Sequence, residues 1–201
     1  MILGLLLIAA ALGITGYNIW QQHTAGEASE EVLDDVNEAI DEKWQRTPIG
    51  ETPAYILNPE MEMPIETIDG VDYVGKIEIP ALELELPVIN DWSYPHLRIA
   101  PCRYSGSAYM NDLVIIAHNY VTHFGRLKNL GPGDQITFTD MDGNEFKYQV
   151  IDMEILEPKM VVDMDPSDWD LTLYTCTVGG RTRMTVRCDR INSIDTPNIS
   201  S

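Results

Sequence analysis

The chain holds three cysteines and four histidines, and the chemistry open to such a set is attack by a thiolate with an imidazole to carry the proton. Position separates the thiols. Cys176 ends the run Leu171-Thr172-Leu173-Tyr174-Thr175 and opens into Thr177-Val178-Gly179-Gly180, where a substrate can reach it. Cys188 falls in mid-strand on the face of Met184 and Val186 and reads as a core filler. His118 directly follows the apolar run at 113–117, also a strand end. Attack of the Cys176 thiolate on a carbonyl, with His118 protonating the leaving amine, is the minimal scheme these residues permit. Three cysteines and four histidines make twelve such pairs, so the pairing alone is a weak signal. The odd cysteine count leaves at least one thiol unpaired within the chain.

The elements that must position these residues show a period of two from Val71 onward. Tyr73, Gly75, Ile77 and Ile79 lead into Pro80; Leu82, Leu84, Leu86 and Val88 then alternate with Glu83, Glu85 and Pro87. Residues 113–117 read as a strand buried on both faces. Ile136 and Phe138 on one side of Asp142-Gly143-Asn144, and Phe146, Tyr148 and Val150 on the other, predict a hairpin. Strands at 171–176 and 183–190 follow; in the second, Met184, Val186 and Cys188 share one face while Thr185, Arg187 and Asp189 share the other. Short strands punctuated by Gly and Pro turns predict an all-β domain over 71–193, a closed or nearly closed β-barrel with short helices, and then a flexible tail at 194–201.

Three segments precede that domain. Residues 1–26 contain no Asp, Glu, Lys or Arg, and Tyr17 and Trp20 follow an almost wholly Leu, Ile, Ala and Gly run. Roughly 20 helical residues cover the ~30 Å hydrocarbon core, so residues 1–22 are expected to be a transmembrane helix with interfacial aromatics. A cleaved signal peptide is the alternative, though the run lacks a basic start. No Lys or Arg flanks the run before Lys43, so the positive-inside rule gives no orientation. Residues 23–45 form an acidic juxtamembrane helix with Leu33, Val36, Ile40 and Trp44 at helical spacing. It is expected to be a solvated stalk; the alternative is a lid or docking helix. Pro48, Pro53, Pro59 and Pro64 mark 46–70 as an extended linker.

With 13 Lys and Arg against 32 Asp and Glu, the net charge is −19 and the sequence pI is about 4.3, which excludes a nucleic-acid partner because phosphate binding needs a basic footprint. Hydrophobic residues make up 44% of the chain, enough for a folded core and too many for a disordered acidic segment. The juxtamembrane helix alone carries eight acids and one base between Glu27 and Lys43. Glu154, Glu157, Asp163, Asp165, Asp168 and Asp170 cluster before Cys176 but lack a calcium-loop signature. No metal or cofactor is expected.

Thr172-Leu173-Tyr174-Thr175-Cys176 fits the T-L-x-T-C signature of the sortases, cell-surface cysteine transpeptidases, and the whole β domain resembles that family. Ala117-His118 resembles the catalytic-histidine position, followed at the usual interval by Phe124-Gly125-Arg126-Leu127 and Asn129-Leu130. Gly131-Pro132-Gly133-Asp134-Gln135-Ile136 is similar to the family's turn into the next strand. Arg183 heads the strand after Cys176 as the family's catalytic arginine does. The resemblance implies a sortase-type β-barrel held on the cell membrane by one span, with its catalytic domain extracytoplasmic. It also implies that Cys176 attacks the Thr carbonyl of a Leu-Pro-x-Thr-Gly-like sorting signal, releases the Gly-containing remainder and holds a thioacyl intermediate. His118 would protonate the leaving amine. An amine of a peptidoglycan precursor or a pilin lysine would then take the acyl group. Arg183 would donate hydrogen bonds to the developing oxyanion, and Thr175 would help line the substrate site. An ordinary thiol titrates near ~8.5 and an imidazole near ~6.5, so the ion pair is a minority state unless the site shifts them.

Other residues compete for these roles. His123 is read as a surface or groove-wall histidine and His96 as solvated. Arg181 and Arg187 rival Arg183, which is preferred because the alternation of its strand starts there. Cys102 and Cys188 are read as independent thiols, with a disulfide as the alternative. No Asp-Pro-aromatic lid motif precedes the β domain, although the Cys-Thr dipeptide resembles the pilus-assembling group, so subclass stays open; the linker from Thr47 to Pro64 could still cover the groove without that motif. An L,D-transpeptidase-like wall enzyme and a non-catalytic extracytoplasmic binding domain are the other function classes. The first places its cysteine in a Ser-His-Gly-Cys context that Cys176 lacks; the second needs no reactive thiol.

Overall fold

The computed structural model describes residues 2–48, 50–157, 168–177 and 181–191. The alternation after Val71 becomes β2 (Val71–Ile79) and β3 (Leu84–Ile89), preceded by a short β1 (Glu66–Ile68) and followed by β4 (Cys102–Ser105) and β5 (Leu113–Ala117). The predicted hairpin is β6 (Gln135–Asp140) and β7 (Glu145–Leu156), and the chain continues through β8 (Leu171–Cys176) and β9 (Arg183–Arg190). The strands run in the order β2-β3-β4-β5-β8-β9-β7-β6, and β6 pairs back onto β2. The result is a closed eight-stranded β-barrel of the sortase type with few short helices, as the sequence predicts, with β1 added as a hairpin arm on the start of β2. At the closure Gly75 allows β2 to lie against β6, since a Cβ there would run into the Thr139 carbonyl.

Inward-facing apolar side chains fill the barrel. Val74, Ile77, Leu113, Ile115, Ile136, Phe138, Phe146, Leu171, Leu173 and Val186 are all fully buried in one cluster, each worth about 1.5–3 kcal/mol of burial where the side chain is large. The outer wall carries two further apolar patches. One, built on Tyr73, Ile89, Leu97, Ala100, Cys102 and Met141, is covered by the N-terminal helix. The other joins Val114, Tyr174 and Leu156 with Tyr104 and Ile116.

The N-terminal segments differ from expectation. A single helix, α1 (Ile2–Arg46), runs through both the apolar and the acidic stretches. Its second half is docked on the barrel, with Val36 fully buried and Ile40 6% exposed against the patch beneath, so it is not a solvated stalk. Apolar residues at 32, 36 and 40 form the docked stripe while the acids face water. Nor are residues 46–70 an extended linker. They form a short helix, α2 (Ala54–Leu57), and β1, with Tyr55 stacked on Tyr109 at 4.7 Å and Met63 buried in the barrel core. Tyr109 and Phe146 sit at the end of the barrel where β7 starts. Cys176 lies at the other end, where β7 finishes opposite Arg183, so Tyr55 and Met63 pack at the end far from Cys176, while Glu60, Met61 and Glu62 line a cavity beside Trp92 and Tyr104. The tail at 194–201 lies outside the described residues.

Candidate active site

His118, Cys176 and Arg183 meet at one end of the barrel because strand register brings them there. β5 and β8 are parallel, with Ala117 opposite Thr175, so His118 and Cys176 emerge side by side. β8 and β9 are antiparallel, with Cys176 directly opposite Arg183. Neighbouring strands lie about 4.8 Å apart. The three residues therefore occupy adjacent strand ends about 10 Å across. Alternation fixes the face: Leu171 and Leu173 point into the barrel, while Tyr174 joins the outer patch, and Cys176 shares the Tyr174 side. Cys176 and Arg183 are each partly exposed.

Thr175 points the other way. It is 3% exposed, and its hydroxyl donates to the Ala117 carbonyl at 2.8 Å. It clamps β8 to β5 immediately before Cys176 and His118.

Burial of the thiols follows the same geometry. All three cysteines are free. Cys102 is on the outer wall beneath α1 and Cys188 inside the barrel, so no disulfide joins them. Desolvation pushes the Cys102 thiol up to about 12 and raises that of Cys188 as well, which suppresses the nucleophilic thiolate at both. Cys176 alone is partly exposed among the three.

Around His118 the structure adds two residues that the sequence did not single out. Tyr120 lies with its ring centroid 4.9 Å from the imidazole. Partial burial, reinforced by the Arg98 charge, holds His118 below the ordinary imidazole value. Beside Cys176, Tyr174 packs edge-on against Tyr104 at 5.6 Å, and Trp92 continues the aromatic run at 5.9 Å from Tyr104. A cavity of about 640 Å³ opens past Tyr104, lined by Asn90, Trp92, Arg103, Ser107 and Asp112, but it is displaced from Cys176 along the sheet.

The competing residues are placed elsewhere. Arg187 is 4% exposed; its Nε donates to Glu154 at 2.7 Å and Nη1 to Thr172 at 3.1 Å, so it braces β7, β8 and β9 four residues below Arg183. That pairing also occupies Glu154, one of the acids weighed for calcium; Asp163 and Asp165 lie outside the described residues. Arg181 is exposed. His96 is partly buried, with Nδ1 3.1 Å from the Asp91 carbonyl. His123 is not a surface or groove-wall residue. It is completely buried, 5.6 Å from the Tyr120 ring. Neither ring nitrogen has a hydrogen bond of normal geometry, although the backbone of Ala25 and Ile99 lies close enough to favour the protonated ring. Burial dominates, and the imidazole is held down to about 4. Its spacing after His118 carries no signal of this, because the covering element is α1.

A closed barrel with a cysteine, a histidine and an arginine on three adjacent strand ends defines the class, and comparison with known proteins agrees. The Sortase domain model matches residues 77–191. The chain therefore belongs to the sortase family. Among solved structures it is similar to sortase C of Streptococcus pneumoniae, with 24% identity over 81% of this chain and 97% of that one and a TM-score of 0.58. A sortase D5 transpeptidase of Clostridium perfringens aligns at 18% identity over 85% and 99%, TM-score 0.58. Sortase A of Corynebacterium diphtheriae aligns at 20% identity over 94% and 98%, TM-score 0.54. These neighbours share the fold and carry three class letters, so they assign no subclass. No match was found among curated proteins.

Proposed function

We propose that this sortase-family chain is a membrane-anchored cysteine transpeptidase. It cleaves a Leu-Pro-x-Thr-Gly-like sorting signal between Thr and Gly and joins the new carboxyl end to an amine of a peptidoglycan precursor or a pilin lysine. The observation that carries this reading is the convergence of His118, Cys176 and Arg183 on one face at one end of β5, β8 and β9. Cys176 Sγ adds to the Thr carbonyl, and Arg183 donates to the oxyanion as charge develops there. Collapse breaks the C–N bond, the leaving amine takes its proton from His118, and the acyl group stays on sulfur as a thioester. An incoming amine gives a proton to His118 and attacks the thioester, which restores the thiol. The apolar wall of Tyr104, Ile116 and Tyr174 would receive the aliphatic Leu and Pro of the signal. Residues 2–20 would hold the chain in the cell membrane, as a single span with the barrel extracytoplasmic.

The depressed basicity of His118 disfavours the imidazolium needed in the first step and favours the neutral ring needed in the second. Incubation of the full chain in detergent micelles with Leu-Pro-x-Thr-Gly-type peptides and a small amine, followed by intact-mass spectrometry, tests the proposal. A thioacyl adduct is expected on Cys176, absent in Cys176→Ala and strongly reduced in His118→Ala and Arg183→Ala. A folded enzyme that forms no adduct across a varied peptide set would overturn it.

A further inference from the structure

A catalytic base needs a third group to hold it in line with the nucleophile, and nothing described so far does this for His118. Among the described residues, no carboxylate or carbonyl hydrogen-bonds a His118 ring nitrogen; what perturbs the imidazole is its burial and the charge of Arg98 acting through space. The χ2 torsion of a histidine is broad. A ring without a hydrogen-bond partner therefore turns unless packing stops it.

That packing comes from Tyr120. Its ring lies 4.9 Å from the His118 imidazole, tilted by 43°, and 5.6 Å from the His123 imidazole, tilted by 49°. Both spacings fall in the range of about 4.5–7 Å at which aromatic rings interact. Among the described residues no hydrogen bond engages the Tyr120 hydroxyl, so the side chain acts through its ring. The backbone leaves Tyr120 little freedom. Its carbonyl accepts from the His123 N–H at 3.0 Å and from the Gly125 N–H at 2.8 Å, while the His118 carbonyl accepts from the Phe124 N–H at 3.2 Å. The turn is wound so tightly that a Cβ on Gly125 would stand 2.5 Å from the Asn119 oxygen and 2.7 Å from that of Tyr120. His123 and Phe124 are both completely buried, which roots the turn in the fold.

α1 closes over the third ring. The Ala25 backbone lies against the buried His123 imidazole. Val121 N–H donates to Gln22 Oε1 and Thr122 Oγ1 to the Gln22 carbonyl, each at 3.4 Å. Gly26 lies so close to Thr122 that a Cβ would stand 2.9 Å from its methyl. The first docked turn of the helix thus backs a row of three rings, His123, Tyr120 and His118, which ends at the strand end beside Cys176.

We propose that Tyr120 is the positioning residue of His118, and that the α1 turn from Gln22 to Gly26 holds it in place through Thr122 and His123. This rests on the transpeptidase reading above, in which one imidazole gives a proton to the leaving amine and takes one from the incoming amine. Both transfers need a ring nitrogen within hydrogen-bond reach of the amine. A misplacement of ~1 Å is enough to cost ~10²-fold in rate. Tyr120 takes no part in the proton transfer itself; it sets the direction of the ring that does.

The test uses the full chain in detergent micelles, with histidine rings labelled with carbon-13 and the His118 signal identified by its loss in His118→Ala. Tyr120→Leu and Tyr120→Ala remove the aromatic ring, and Tyr120→Phe keeps it. Each ring-less variant should lower kcat by about tenfold or more with KM within about twofold of the parent. The NMR titration of His118 should move to higher pH as water reaches the imidazole, Arg98 being present in every variant, and the ring-proton shift should change with the lost ring current. Tyr120→Phe should keep the parent's kcat, KM, titration and shift. Gly26→Val, which presses on Thr122 from α1, should lower kcat and move the His118 signal with KM unchanged. Parental kcat in folded Tyr120→Leu overturns the positioning role. So does a loss confined to KM, or a loss in Tyr120→Phe as large as in Tyr120→Leu, which would place the effect in the hydroxyl. A folded Gly26→Val chain with parental kcat and His118 signal overturns the part assigned to α1. A parent that forms no adduct defeats the transpeptidase reading instead, and the NMR comparison alone then decides whether Tyr120 orients the His118 ring.

Discussion

His123 gives the sharpest test of how the barrel and α1 fit together. Its imidazole is wholly buried and titrates near 4 in the folded chain, against about 6.5 for an unperturbed histidine. Between those values the unfolded chain binds a proton that the folded chain refuses, so stability must fall as the pH drops from about 6.5 to about 4, and the full contribution is present above 6.5. A difference of about 2.5 pKa units corresponds to about 3 kcal/mol. The perturbation is His123→Gln, a neutral side chain of similar size that cannot titrate in this range. Urea unfolding of a chain beginning at Gln21, which keeps every α1 residue that packs on the barrel, is followed at pH 8, 6, 5 and 4. The parent should lose about 3 kcal/mol relative to the variant across this series. Asp140 is shifted up by burial and works in the opposite direction on acidification, but it is present in both chains and cancels in the difference. Parallel stability curves for the two chains from pH 8 to pH 4 would refute the argument, because the histidine would then be solvated in the folded state.

Other expectations follow from the same geometry. Arg183→Ala should lower kcat/KM by about 10²–10³-fold, the usual consequence of removing an oxyanion donor, with unfolding midpoints unchanged. Arg187→Ala should instead cost about 2–4 kcal/mol in urea unfolding, since it strips Glu154 of a largely buried partner, while the folded fraction still forms the adduct. Arg98→Gln removes a positive charge that opposes protonation of His118, so the acidic limb of the kcat/KM profile and the NMR titration of the ring should both move to higher pH. Thr175→Val, nearly isosteric, should lose about 1 kcal/mol with its hydrogen bond to Ala117 and lower kcat more than it changes KM; a change confined to KM would mean that Thr175 touches substrate.

Much of the barrel was legible because its strands alternate or are wholly apolar, and the meeting of the three candidate residues at one end because each stands where such a pattern stops. What escaped was whatever packs through small or polar side chains. The docked stripe of α1 begins with Ala25, Gly26 and Ser29, which leave no hydrophobic period. The segment at 46–70 shows four prolines, while among its described residues the apolar packing rests on scattered Tyr55, Met61, Met63 and Ile68, which show no period. β4 is four residues long and meets β3 through a single pairing, Ile89 with Cys102, too little to impose a period. His123 could not be placed because its covering helix is about 100 residues away in sequence, and Arg98 acts on His118 through space alone.

The signature around Cys176 has a physical reading once the register is known. Leu171 and Leu173 face the core, Thr172 accepts from Arg187, Tyr174 packs on Tyr104, and Thr175 donates to Ala117. Every residue before the cysteine thus fastens β8 to a neighbour, which leaves Cys176 at the open end of a strand that cannot slide. A slip of one residue would turn Leu171 and Leu173 outward and carry Cys176 into the barrel. Exposing two fully buried leucines costs about 3–6 kcal/mol, which holds the slipped register below about one molecule in a hundred before the lost hydrogen bonds are counted. Under the proposed function the Cys176 thiol is therefore aimed by its neighbours' burial, and a substitution such as Leu173→Ser, whose side chain faces the barrel core, should weaken catalysis by loosening register.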